Sequence, residues 1–179
     1  ANVVDYVQFL PCNLVPGVDG SADVCRLDNV FDLNTIVTLG EDFGNWSFPP
    51  NETFLNGSIV SVGLLPTGTY SFYYIVNTPC AADTTVATLT IFPPSTAGTD
   101  GLINVCQNQP FNLLSGLGGT VDLGGTWYNP SNVALPGPSL TSGAIPGMFN
   151  YDYVTTNGVC PNDTSNVVVD VSASCDYLD

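Results

Sequence analysis

The sequence predicts an all-β chain built from two small β-sandwich modules in tandem. Three observations support this prediction: one pattern of landmarks occurs twice, short β-rich runs are separated by turn residues, and no amphipathic helix of useful length appears. The 179 residues are enough for two small modules. The repeat predicts the boundaries: an N-terminal strand and linker over residues 1–15, module 1 over residues 16–94, and module 2 over residues 95–179.

The two copies of the pattern run from Cys25 to Cys80 and from Cys106 to Cys160. Each cysteine pair encloses a Phe-x-Leu stretch, a Gly-containing turn before a tryptophan, and an aromatic strand, at offsets of 79 to 81 residues between the copies. A module that folds alone is expected to pair its own cysteines, which predicts the disulfides Cys25–Cys80 and Cys106–Cys160. Each bond stabilises its module by about 4 kcal/mol in the chain-entropy treatment. Such bonds predict an oxidising location outside the cytoplasm.

The first element is the segment from Val3 to Leu10, which is rich in β-forming residues and is stopped by Pro11. This segment lies before Cys25 in the same way that the predicted last strand of module 1, residues 84–92, lies before Cys106. It is therefore interpreted either as the first strand of module 1 or as the last strand of a further repeat. Matching Gly-x-Asp-Gly turns at residues 17–20 and 98–101 open the two modules, and a proline-stiffened linker separates them.

Inside the modules, the strand signal is an alternation with a period of two. Tyr70, Phe72 and Tyr74 alternate with other residues, as expected for a half-buried strand. Trp46 and Trp127 lie at the same distance after the first cysteine of each module and are predicted to be core anchors, as in immunoglobulin-like folds; a sugar-stacking platform is the alternative. The predicted strands are residues 31–39, 44–48, 58–64, 69–76 and 84–92 in module 1, and 111–114, 125–128, 139–142, 148–155 and 165–172 in module 2.

The charge balance argues against several classes of function. Arg26 is the single basic residue, the chain has no Lys or His, and the formal net charge is −15. Binding to nucleic acid or to anionic membranes requires the Lys and Arg that this chain lacks. No imidazole or amine is present for acid–base catalysis. No stretch approaches the roughly 20 apolar residues of a membrane span, and the opening residues do not form a signal-peptide pattern. We therefore expect neither an enzyme nor membrane insertion.

Recurrent carboxylates are candidate calcium ligands, because hard oxygen donors suit this cation. The alternative is that these acids are turn residues, or a solvated surface that keeps the protein soluble. The adjacent acids Glu41 and Asp42 lack the spacing of a glycosidase pair, and without Cys-x-x-Cys or His no zinc site is expected. The candidate calcium ligands, paired by their place in the repeat, are Asp19 with Asp100, Asp42 with Asp122, and Asp83 with Asp163.

The motifs of both copies resemble a known family. The strings that carry the resemblance are Ala-Gly-Thr-Asp-Gly-Leu-Ile-Asn-Val-Cys ending at Cys106, Gly-Gly-Thr-Trp ending at Trp127, and Pro-Gly-Met-Phe-Asn-Tyr-Asp-Tyr ending at Tyr153. Together they resemble the tandem immunoglobulin-like repeats of very large Bacteroidota surface proteins, which include gliding-motility-associated adhesins and many substrates of type IX secretion. The resemblance covers both copies and is stronger in the second.

The resemblance implies two tandem immunoglobulin-like β-sandwich modules, each with one internal disulfide, in a secreted adhesin or surface filament. It implies an extracellular location and no catalytic residues. The stretch Asp83-Thr84-Thr85 resembles the O-glycosylation motif of the same bacteria, with Thr84 as the acceptor. The export-signal domain typical of this family does not occur in the sequence, so the secretion route is an expectation only.

Residues that lie outside the repeated module pattern predict binding partners for this chain. Cys12 and Cys175 lie outside the repeat, and an intermolecular disulfide between them would join identical subunits head to tail, with residues 3–10 completing a neighbouring sheet. The alternative is an excised pair of modules whose linker cysteines are bonded locally. A competing function is binding of extracellular polysaccharide through exposed aromatics such as Tyr73 or Tyr128. An accessory domain of a secreted hydrolase is a third interpretation.

Overall fold

The computed structural model describes residues 17–40, 43–79 and 81–173, and the chain divides into two compact units, Ala1–Phe92 and Pro93–Asp179. Within the described ranges, every regular element is a β-strand or a short 3-10 turn. No helix in those ranges has the length and apolarity needed to cross a membrane.

Unit 1 has a four-stranded and a three-stranded sheet. Its strands are β1 (Gly17–Val18), β2 (Gly20–Cys25), β3 (Phe31–Asp32), β4 (Thr38–Leu39), β5 (Asn45–Ser47), β6 (Leu55–Asn56), β7 (Ile59–Val60), β8 (Gly68–Asn77) and β9 (Ala82–Phe92). The larger sheet has the order β2-β9-β8-β5, with β2 parallel to β9 and the other pairs antiparallel. The smaller sheet has the antiparallel order β3-β7-β6, and β1 pairs with β4.

Unit 2 repeats this plan with one strand fewer in its second sheet. Its strands are β10 (Gly101–Cys106), β11 (Pro110–Asn112), β12 (Thr126–Tyr128), β13 (Ser139–Thr141), β14 (Gly147–Thr155) and β15 (Asp163–Ser172). The larger sheet has the order β10-β15-β14-β12, with β10 parallel to β15, and the second sheet contains β11 and β13. Both units are immunoglobulin-like β-sandwiches, as predicted.

Each unit buries its own core between its two sheets. Most inward-facing residues of β8 and β9 are buried, and Phe72 and Leu89 fully so, because side chains on a strand point alternately to opposite faces. In unit 2, Trp127 and Tyr153 are buried with the inward valines of β15. The predicted core position is confirmed for Trp127, whereas Trp46 is half-buried and packs against the edge of its core.

Two of the predicted strands of unit 1 are interrupted by 3-10 turns. The run over residues 31–39 breaks after Asp32, whose carboxylate accepts a hydrogen bond from the backbone N–H of Asn34 and starts a 3-10 turn at Leu33–Thr35. The run over residues 58–64 ends at Val60 and continues as the 3-10 turn Val62–Leu64. Capping by a short polar side chain such as that of Asp32 competes with strand pairing, whereas the turn after Val60 has no side-chain cap.

The cysteine pairing predicted for unit 2 is wrong. Cys106 and Cys160 are both disulfide-bonded, but Cys106 lies beside Ser172 in the β10–β15 register. Cys160 precedes Asp163, which is the first residue of β15 and lies at the opposite end of that strand. Nine steps of about 3.3 Å separate the two ends, far more than the roughly 7 Å that a disulfide spans between Cα atoms.

In unit 1, Cys25 is disulfide-bonded and lies beside Phe92, at the opposite end of β9 from Ala82. Its predicted partner Cys80 lies outside the described residues. Cys12 and Cys175 also lie outside them, so the predicted intermolecular bond stays a prediction. No described cysteine is free.

Candidate functional site

A tryptophan, a tyrosine and a glycine meet in the core of unit 2. The Trp127 and Tyr153 rings lie 4.8 Å apart between centroids. The Tyr153 hydroxyl accepts a hydrogen bond from the Gly125 N–H (2.9 Å) and donates one to the Asp122 carbonyl (2.7 Å). A Cβ on Gly125 would meet the Val154 carbonyl oxygen at 2.5 Å, so only glycine fits there. This cluster holds β12 against β14.

Unit 1 contains the equivalent cluster, in which the tyrosine hydroxyl makes one hydrogen bond to the described residues instead of two. Trp46 and Tyr74 lie 5.3 Å apart between ring centroids, and the Tyr74 hydroxyl accepts a hydrogen bond from the Gly44 N–H (2.7 Å). The Trp46 indole N–H donates to the Asn34 side chain (3.1 Å). Sequence reasoning assigned the tryptophans to the core but gave no role to the tyrosine and the glycine, although the glycine lies two residues before the tryptophan in both units.

A tyrosine corner is present in unit 1 only. The Tyr70 hydroxyl, near the start of β8, donates to the Pro66 carbonyl four residues upstream (2.9 Å), as a tyrosine does in many immunoglobulin-like domains. Phe149 occupies the equivalent place in unit 2 and has no hydroxyl to donate. The start of β14 is therefore fastened less firmly than the start of β8.

The recurrent acids act as backbone acceptors. Asp19 and Asp100 each accept a hydrogen bond from a backbone N–H of the neighbouring long strand, at Val86 and Asn166 respectively (both 2.8 Å). Each of these aspartates thereby joins the turn before its strand to the sheet.

Asp122 and Asp163 accept hydrogen bonds from Thr96 and Ala97, and Asp83 accepts one from the N–H of the next residue. Asp42 lies outside the described residues. Within the described ranges, no three His, Cys, Asp or Glu side chains cluster as a metal site. Calcium binding at these acids stays a prediction.

The aromatic residues proposed to bind glycans lie on the outer face of each larger sheet. Tyr128 is half-buried and lies across from Asp152 of β14. The Asp152 carboxylate accepts a hydrogen bond from the Asn166 side-chain amide (2.9 Å). An aromatic face, a carboxylate and an amide therefore lie in one row across three strands. In unit 1 the same row consists of Ser47, Tyr73 and Val86, so Tyr73 has the place of Asp152 and the row contains no carboxylate.

The predicted O-glycosylation acceptor is accessible. Thr84 is exposed near the start of β9, and its backbone N–H donates to the Asp83 carboxylate (2.7 Å). Its neighbour Thr85 is buried, so only the first threonine of the motif is presented to solvent. The modification itself stays a prediction.

Two depressions lie on unit 2. One, of about 420 Å³, is bordered by Trp127, Leu123 and Pro136. The second, of about 240 Å³, lies between the two sheets beside β13 and is bordered by Phe111, Phe149 and other residues. Tyr151 also borders the second cavity, and burial raises the pKa of its phenol above the ordinary value.

Neither depression contains a catalytic set of residues. The chain has no His or Lys, and the acids Glu41 and Asp42 lie outside the described residues. The described residues that border the two cavities do not place a catalytic nucleophile beside a general base.

No protein-family model matches the chain, and no curated protein matches it. Among solved structures, the chain is similar to the titin I-band fragment I67–I69 (11% identity, 88% of this chain and 64% of the fragment, TM-score 0.46). It is also similar to the four N-terminal Ig domains of Dscam1 isoform 4.4 (14%, 92% and 47%, TM-score 0.41) and to DIP-gamma IG1+IG2 (13%, 88% and 95%, TM-score 0.41). The chain thus spans less than two thirds of the first two structures, and at these identities the similarity concerns the fold alone.

Proposed function

We propose that this chain is a structural segment of an extracellular adhesin or surface filament, in which immunoglobulin-like modules follow one another as non-catalytic repeats. The observation that carries the proposal is the duplication itself. The larger sheets of both units have the same strand order, and each unit has a separate core and a separate Trp–Tyr–Gly cluster. Repetition of a whole module suits a structural protein, in which successive modules extend the chain, rather than an enzyme.

The cysteine and charge chemistry support an extracellular location. Cys25, Cys106 and Cys160 are all disulfide-bonded, and disulfides persist in oxidising compartments. A net charge of −15 with a single basic residue keeps such a protein soluble and disfavours non-specific binding to anionic surfaces.

The experiment that tests the proposal has two parts. Antibodies raised against the chain are expected to label intact cells, and mild proteolysis of those cells is expected to remove the label. Beads coated with the chain are expected to compete with the cells for adhesion. Labelling only after the cells are lysed would contradict the surface location.

Polysaccharide binding is a second candidate function, favoured by the row of Tyr128, Asp152 and Asn166. Stacking on an aromatic ring with hydrogen bonds from flanking polar groups is a common way to hold a sugar. Glycan-array binding that is lost with Tyr128→Ala and retained with Phe43→Ala would support it, because Phe43 is an exposed aromatic residue outside the row. Equal binding by both variants would argue against it.

Head-to-tail assembly of identical subunits stays a separate prediction, in which the disulfide would have to hold together two chains of net charge −15. It requires residues 3–10, Cys12 and Cys175, which lie outside the described residues. A non-reducing gel tests its covalent form. A ladder of multimers that collapses with reductant or with Cys12→Ser supports assembly, whereas a single monomer band under oxidising conditions refutes the covalent form.

A further inference from the structure

The smaller sheet of unit 1 shows how strand β7 is covered on both edges. On one edge β7 pairs with β3, where Val60 lies opposite Phe31. On the other edge it pairs with β6, where Leu55 lies opposite Val60 and the Ser61 N–H donates to the Phe54 carbonyl (2.8 Å). Both edges of the central strand are therefore satisfied within the unit.

In unit 2 the equivalent strand is covered on one edge only. Leu140 lies opposite Phe111, as Val60 lies opposite Phe31, so Thr141 has the place of Ser61. The Ser142 N–H donates to the Gln109 carbonyl, which orients the backbone groups of Thr141 toward the other edge. Within the described residues no strand pairs with that edge.

A cavity lies beside this edge, which no described strand covers. It measures about 240 Å³ and is bordered by Thr141 at the edge and by Phe111, Phe149 and Tyr151 inside. In unit 1 the equivalents of Phe149 and Tyr151 are Tyr70 and Phe72, and the ring of Phe48 packs on both, at 6.0 Å and 4.6 Å between centroids. Phe48 is buried in unit 1.

The residues of unit 2 explain why the cavity is open. Asn129 follows Trp127 at the spacing of Phe48 from Trp46, and its side chain accepts hydrogen bonds from Ser131 and Val133 in a turn. Smaller side chains line the same region. The strand registers place Ser142 at the position equivalent to Val62, Val169 at that of Leu89, and Val171 at that of Ile91.

We propose that the free edge of β13 and the adjacent cavity form a docking site for an extended strand of another protein, with one large apolar side chain opposite Leu140. The incoming strand takes the place that β6 has in unit 1, and its apolar side chain takes the place of Leu55. Backbone pairing supplies affinity in such strand additions, and the side-chain pocket supplies specificity.

The charge of the chain indicates what kind of strand fits. A second copy would bring another net charge of −15 to the contact, and like charges oppose association. The cavity walls combine apolar side chains with neutral polar groups, and none of the described residues that border the cavity is charged. The edge residues Ser139 and Thr141 are neutral as well. The occupant is therefore a neutral or basic segment of a different protein, with Phe, Leu or a similar residue at its centre.

The test uses the whole chain and a synthetic peptide with the sequence of residues 51–58, the segment that covers this place in unit 1, carrying Glu52→Lys. Backbone NMR spectra are recorded while the peptide is added. Shift changes are expected at residues 139–143 and at Phe149 and Tyr151, and the edge strand β10 serves as the internal control. A peptide with Leu55→Asp is expected not to bind.

Two protein variants separate the edge from the cavity. Thr141→Pro removes an N–H that does not bond to β11, so the β11–β13 pairing remains while peptide binding weakens about tenfold or more. The double variant Val169→Leu and Val171→Ile introduces the larger side chains that unit 1 has at these positions and so fills part of the cavity. It is expected to weaken peptide binding while the backbone edge of β13 stays unchanged. Protection of the Leu140 N–H from exchange verifies that each variant is folded.

Three outcomes would overturn the proposal. The first is the absence of shifts at β13 with the peptide at about 1 mM, the weak end of measurable affinity. The second is peptide binding that Thr141→Pro leaves unchanged, because the site would then be a pocket without strand pairing. The third is self-association of the chain that Thr141→Pro abolishes, which would identify a second copy as the occupant.

Discussion

Replacing Tyr153 by phenylalanine tests the Trp–Tyr–Gly cluster directly. Tyr153 is 2% exposed, and its hydroxyl makes two hydrogen bonds, to the Gly125 N–H and to the Asp122 carbonyl. Phenylalanine keeps the ring contact with Trp127 but leaves both backbone groups without this partner. Groups left unpaired in a buried place cost about 1–3 kcal/mol, so we expect the free energy of unfolding of unit 2 to fall by about 2 kcal/mol.

Unit 1 supplies a matched comparison. The Tyr74 hydroxyl accepts one hydrogen bond, from the Gly44 N–H. Tyr74→Phe is therefore expected to lower the free energy of unfolding of unit 1 by about 1 kcal/mol, the smaller of the two effects. Tyr128→Phe serves as the control, because Tyr128 lies on the outer face of its sheet and its change is expected to stay within about 0.5 kcal/mol.

Hydrogen exchange followed by mass spectrometry measures the two units separately in one protein. The exchange of peptides from β14 and β15 reports on unit 2, and that of peptides from β8 and β9 reports on unit 1. The reasoning fails if Tyr153→Phe changes the opening free energy of unit 2 by no more than the Tyr128→Phe control, or if Tyr74→Phe costs more than Tyr153→Phe.

Four further predictions follow from the described residues. Ser61→Pro is expected to destabilise unit 1 by about 1–3 kcal/mol because its N–H bonds to β6, whereas Thr141→Pro is expected to change the stability of unit 2 by less than about 0.5 kcal/mol, as chemical denaturation will measure. Mass spectrometry of non-reduced peptides is expected to find no link between Cys106 and Cys160. Burial raises the pKa of the Tyr151 phenol in the folded state, so the phenol of the unfolded chain loses its proton at a lower pH. The free energy of unfolding of unit 2 is therefore expected to fall as the pH rises above about 10. Urea titrations at alkaline pH are expected to show a smaller fall for Tyr151→Phe. If the acids bind calcium, millimolar calcium raises the melting temperature, and no shift in calorimetry would contradict that prediction.

The sequence was sufficient to predict the fold class and the duplication, because the signals behind them are local. The alternation of Tyr70, Phe72 and Tyr74 is a property of consecutive residues, and it places two of these side chains, Phe72 and Tyr74, in the buried core. The repeated spacing of Trp46 and Trp127 predicted equivalent core positions because both copies fold by the same pattern.

The cysteine pairing required the tertiary structure, because it depends on which strands run parallel. Parallel pairing of β10 with β15 places Cys106 beside Ser172, while the chain leaves Cys160 before the other end of β15. The choice of Cys160 as the partner of Cys106 ignored this register. The end of strand β3 also depended on a capping side chain, that of Asp32, which propensity does not reveal.

The sequence by itself determined which residues are apolar, where the turns lie and that the same module occurs twice. Only the tertiary structure decided which strand edges are covered and which cavities stay open. The difference between β7, paired on both edges, and β13, paired on one, arises from contacts between segments far apart in sequence. Burial of a side chain such as Phe48 depends on the summed packing of all its neighbours, and no local pattern carries that information.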